Sequence, residues 1–166
     1  CLFVPYREEV PDEQCLSKSK FPQLYSLAQK ACDKLGCKGK PYLYVGDDIS
    51  VTASESRINV FLHPETVSIL TSDELYNVFL HEFAHVANVD TKRLARYAKV
   101  QTMYNNDWIS IPSLFNSFIS SPTKMAIEYY RTFASRYHEI RADALVNKYG
   151  DAQVYTNANA KSEMYK

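Results

Sequence analysis

Glycine is scarce in this chain, 4 residues in 166, and no stretch repeats or falls into low complexity. A collagen-like or otherwise fibrous protein is excluded, and 46% hydrophobic with 23% charged residues excludes a disordered tail. Net charge is missing too. Lys plus Arg number 19 and Asp plus Glu 19, so no global field draws a polyphosphate or an anionic surface, and nucleic acid is not an expected partner. Long apolar runs are also lacking. The stretch from Trp108 to Ile119 is broken by Pro112 and Asn116 and falls short of the ~20 residues a spanning helix needs, so no transmembrane segment is expected. What remains is a chain that hides roughly 70% of its extended surface on folding, enough for one full-sized core.

Cysteine is absent after Cys37; Cys1, Cys15, Cys32 and Cys37 all lie in the first quarter. None of them forms a CxxC pair, which argues against cysteine-held metal, and the clustering leaves disulfides and free thiols as equal alternatives. The start at Cys1 rather than Met reads as a processed form, with any signal peptide or anchor upstream. A first-position Cys fits a lipid anchor, although Leu2 suits that pattern poorly. The cluster leans to a periplasmic or extracellular location over a cytoplasmic one.

Residues 1–20 carry two prolines, two cysteines and no periodicity, and read as a Cys-containing N-terminal arm; residues 21–166 read as the folded domain. Pro22 suits a first helical turn, Leu24, Leu27, Ala28, Ala31 and Leu35 recur at helical spacing, and Gly36 suits the C-terminal cap. Pro41 to Val45 and Arg57 to His63 have the short, alternating character of strands. Thr71-Ser72-Asp73-Glu74 has the form of a capping box, predicting a helix from about Ser72 to Val89. Residues 91–105 suit a more polar helix. Trp108 to Pro122, with two prolines, reads as a loop or short helical turns, either a lid or packing. Thr123 to Tyr149 predicts a long helix ended by Gly150, with a shorter segment after Asp151.

Within the Ser72 helix stands His81-Glu82-Phe83-Ala84-His85. Two histidines four apart project from one helical face, so both imidazoles can reach one Zn²⁺, while the Glu is offset toward the side where a zinc-bound water would sit. Zinc lowers the pKa of such a water to ~7 and polarises a carbonyl, so the set suits peptide-bond hydrolysis. Chance alone yields the pattern about 0.006 times in this composition, so its surroundings must decide. Leu75, Val78, Phe79, Leu80, Phe83, Ala84, Val86 and Ala87 cover most of the helix, leaving Asn77, His81, His85 and Asn88 as a narrow polar strip. Glu82 falls inside the apolar arc. A carboxylate there is costly unless compensated, as a metal-bound water in a cleft would do; the competing reading is a buried helix with two hydrogen-bonded histidines.

A catalytic zinc has three protein ligands and an open position. Glu139 and Asp143, four apart, share one helical face, so one suits a zinc ligand and the other its hydrogen-bonded orienter. The alternative is a solvated pair bridged to Arg136 and Arg141, and His138 and Glu128 are rival third ligands. His63, at a strand end, reads as a capping residue.

These residues resemble the HtpX-like gluzincin metallopeptidases, a family that includes the CAAX prenyl protease. The resemblance rests on Thr71 to Leu75, on Val78 to Asp90 with HExxH and its following Asn-x-Asp, on Glu139-Ile140-Arg141-Ala142-Asp143 as an ExxAD motif, and on Lys148 to Asp151. It spans about residues 21–160. It implies His81, His85 and Glu139 as ligands of one zinc per chain, Glu82 as general base and acid, and Asp143 as the partner of a ligand histidine. It further implies a helix-rich α+β zincin domain whose small sheet offers an edge strand to an extended polypeptide. Thr52 to Ser56 depart from the family's Asn-Ala-Phe segment, and the oxyanion partner stays open among His138, Arg136, Arg141, Tyr129 and Tyr130. The expected function is zinc endopeptidase. A noncatalytic zinc-containing binding module and a dedicated regulatory protease with one protein target are the alternatives, and the arm is either an inhibitory prosegment or a structural extension.

Overall fold

The computed structural model describes residues 15–53, 56–88 and 113–164, with the side chains of 113–124, 126–128, 130 and 131 left aside. Helix α1 spans Pro22–Leu35, strand β1 Lys40–Val45, β2 Ser50–Ala53, β3 Arg57–Leu62, then helices α2 Pro64–Ile69, α3 Ser72–Ala87, α4 Ser113–Tyr149 and α5 Ala152–Glu163. The α+β class expected from the sequence is what the structure shows.

The local chemistry of the helix ends explains their bounds. Gly36 closes α1 with φ of 66°, and its N–H donates to the Asp33 carbonyl while that of Cys37 donates to Cys32, the paired bonds of a Schellman end. At α3 the Glu74 N–H donates to Thr71 Oγ1 at 3.2 Å and the Thr71 N–H to Glu74 Oε2 at 2.8 Å, completing the capping box. Asp151 Oδ1 accepts from the Gln153 and Val154 N–H groups to start α5.

The sheet has the order β1-β3-β2, with β1 parallel and β2 antiparallel to the central β3. The outer edge of β1 is already paired. Cys15 bridges Tyr44, and the Leu16 N–H donates to the Leu43 carbonyl at 2.8 Å. Among the described residues, β2 is therefore the edge without a strand partner.

Helix α3 packs against α1, β2, α4 and α5. This central placement accounts for its nearly continuous apolar surface: a helix with neighbours on all sides buries all of them. Its Leu75, Phe79, Leu80 and Phe83 join Tyr25, Ala28, Leu43, Ile58, Val60, Val146 and Ala158 in one core.

Three elements differ from the expectation. Strand β2 is additional, since its four residues carry too little alternation to stand out. Helix α2 is additional too, and it gives His63 its expected capping role, with Nδ1 accepting from the Thr66 N–H at 3.4 Å. Residues from Ser113 to Pro122 belong to α4 rather than to a loop or separate short helical turns; a proline removes one intrahelical bond without forbidding a helix that propagates on both sides of it. The helix expected over 91–105, the segment 108–112 and residues 1–14 of the arm lie outside the described residues, as do Ser54 and Glu55 in the departing segment.

Candidate metal-binding active site

The polar strip of α3 faces the C-terminal half of α4 and the start of α5. At its N-terminal end, buried Asn77 Oδ1 accepts from the Asp151 N–H at 2.7 Å while its Nδ2 donates to the Asp73 carbonyl, tying the α4–α5 junction to α3. At its C-terminal end Arg141 Nη2 donates to Asn88 Oδ1 at 3.0 Å. Between these two clamps lie the histidines.

His81 Nε2 is 3.2 Å from Glu139 Oε2, His85 Nε2 is 3.3 Å from His81 Nε2, and His85 Nε2 is 3.8 Å from Glu139 Oε1. These three residues form a group able to hold a metal ion, its donor atoms all within 4.8 Å of one another. Zinc at ~2.0–2.1 Å from N or O donors in a tetrahedron sets them ~3.3 Å apart. The spacings of 3.2 and 3.3 Å match that edge, the 3.8 Å one to the other Glu139 oxygen is longer, and a borderline-soft ion suits two imidazoles and one carboxylate. His81 Nδ1 lies 3.0 Å from Asp143 Oδ1, so the two ring nitrogens face two different carboxylates.

Residues 18–162 match the sequence profile of peptidase family M48. The chain belongs to peptidase family M48. No curated protein and no solved structure gives a match. Membership implies metallopeptidase activity and polypeptide substrates, and M48 peptidases are typically zinc-dependent. Among the described residues, no helix of this M48 chain is long and apolar enough to cross a membrane.

The electrostatics of the M48 site follow from burial. Glu82 is 8% exposed; burial pushes its carboxyl up to about 7, opposed by the charge of His81 and reinforced by that of Glu139. Burial drives His85 down to about 4, and the neighbouring His81 adds to the shift, which keeps its imidazole neutral at pH 7. The hydrogen bond from His81 holds Glu139 below the usual carboxylate range. His81 itself is lowered by burial, but Glu139, Glu82 and Asp143 together outweigh this and raise it.

Of the rival third ligands, buried His138 stands outside the three-residue group and meets the Tyr137 ring edge-on at 6.0 Å, while the Glu128 side chain lies outside those described. Arg141 also packs over the Tyr137 ring, 5.6 Å from its centroid. Tyr129 and Arg136 are exposed, and the Tyr130 side chain is outside those described. One neighbour escaped the sequence reading altogether. Tyr155 of α5 stacks on His81, centroids 4.9 Å apart, and no motif or spacing marks it.

Proposed function

We propose that this M48 chain is a zinc-dependent endopeptidase, with His81, His85 and Glu139 as metal ligands, Glu82 as the proton carrier and Asp143 as the partner that orients His81. The observation that carries this is the convergence of two imidazole nitrogens and a carboxylate oxygen within 4.8 Å of one another next to a buried Glu82. When bound, zinc lowers the pKa of a coordinated water to ~7 and polarises the scissile carbonyl.

The chain's own residues account for the rest. His85 offers a neutral ring nitrogen and Glu139 an ionised oxygen. The Asp143 carboxylate, 3.0 Å from His81 Nδ1, faces the ring so that Nε2 is turned toward Glu139 and His85. Glu82 has a carboxyl close to half-ionised near neutrality, so it can take a proton from the attacking water and return it to the leaving amide nitrogen, a match worth roughly 10²–10⁴ in rate.

Metal content per chain for the wild type and Glu139→Ala, alongside casein cleavage with and without a chelator, tests the reading. One zinc per chain, lost in Glu139→Ala, with chelator-sensitive cleavage is expected. Unchanged metal in the variant would remove Glu139 from the ligand set, and zinc without any cleavage would favour the noncatalytic module.

A further inference from the structure

We infer that Tyr155 is a positioning residue for the metal site, its ring lying flat on the His81 imidazole and holding the plane in which Nε2 meets Glu139 and His85. This rests on the zinc-ligand reading of His81 given above. The two rings are 4.9 Å apart at 16° between planes, within the range of favourable offset stacking.

Glu139 at Nε2 and Asp143 at Nδ1 act within the plane of the ring and decide which nitrogen faces which carboxylate; the tilt of that plane is what they hold least. The terminal torsion of a histidine is broad and roughly two-fold, so the side chain's own geometry does not select the ring's orientation. Asp143 reaches Nδ1 at 3.0 Å, but its side chain is 53% exposed, so water competes for the same oxygen. His85 meets the ring edge-on, at 84°, and is itself read as a ligand. Tyr155 supplies a flat face in a different direction from all of these.

Its own position does not depend on His81. Helix α5 is fixed by the Asp151 cap, by Ala158 in the core and by Lys161 Nζ at 2.7 Å from Glu74 Oε1. The phenol group is not the active part. Its hydroxyl bonds to Asn159, one turn along the same helix. The ring does the positioning, and phenylalanine should replace it.

The test uses four variants of the full chain: Tyr155→Phe keeps the ring, Tyr155→Leu and Tyr155→Met keep bulk without it, and His81→Ala removes the ligand. Zinc affinity is read by competition with a chelating dye, and the visible spectrum of the cobalt-loaded protein reports the geometry of the donors. Melting in excess chelator confirms that each variant folds. The expected result is an affinity within twofold of wild type for Tyr155→Phe, about tenfold weaker for the Leu and Met variants, and a shifted cobalt spectrum in those two alone. Folded Leu and Met variants with wild-type affinity and spectrum would overturn the inference while leaving the zinc reading intact. Equal weakening in all three Tyr155 variants would overturn it as well, because the hydroxyl would then be what matters. Wild-type affinity in His81→Ala would instead remove the zinc reading, and the inference with it.

Discussion

Gly150 ends the helix carrying Glu139 in close contact with the helix carrying the histidines. A Cβ there would collide with Asn77 Oδ1 and come within 2.8 Å of Leu80 Cδ1, and both belong to buried α3 residues with little room to yield. Gly150→Ala is therefore expected to destabilise the protein by about 1–3 kcal/mol, read as a lower urea midpoint; an unchanged midpoint would show that the α3–α4 approach is looser than described. Single residues differ in how much they disclose before folding. The two histidines of the candidate site stood out because their spacing within one helix is a local property. Glu139 was legible as one of several carboxylates and imidazoles near the right place, and the choice among them depends on how α4 is rotated against α3, which spacing alone does not encode. Tyr155 was illegible, since its contact with His81 exists only after α5 folds back on α3.

The first turn of α3 is joined to the last turn of α5. Glu74 closes the Thr71 capping box and receives Lys161 Nζ at 2.7 and 2.9 Å, and Lys161 is the main reason its carboxyl is held below its ordinary value of 4.5, with the Thr71 N–H second. A carboxyl whose pKa falls on folding adds stability above its unfolded pKa and loses it as pH drops through the folded one. Lys161→Met should thus cost up to about 1 kcal/mol at pH 7, since the lysine is partly exposed, and the two thermal midpoints should converge as pH falls below the ordinary carboxyl range. A pH-independent gap would mean that the lysine acts through packing. Elements with strong end signals were readable in advance: the capping box, Gly36, and Gly150 before Asp151 all mark real boundaries. Those without were not. Strand β2 is four residues long, and the start of α4 was hidden by Pro122, whose local preference against helix is overridden by 37 residues of continuous helix.

At the scale of the whole molecule, α3 is the axis. The sheet and α1 cover one part of it with apolar side chains, while α4 and α5 cover the polar strip, so the chemistry lies in the seam between helices distant in sequence. That arrangement explains how a helix with an almost uniformly apolar surface carries His81, Glu82 and His85 without a loss of fold: each polar group meets a partner from α4, or a low dielectric that tunes it. It also explains the division between what the sequence marked, the two histidines and Glu139, and what only the fold supplies, namely the Tyr155 ring behind His81. The central claim is that the donor set holds the metal while Glu82 moves the proton. The most direct measurement is cleavage rate and zinc content together for Glu82→Gln, a change that keeps shape and removes the base. The account predicts full zinc occupancy with a rate about 10²–10⁴ lower. A variant that cleaves at the wild-type rate while fully loaded with zinc would contradict it.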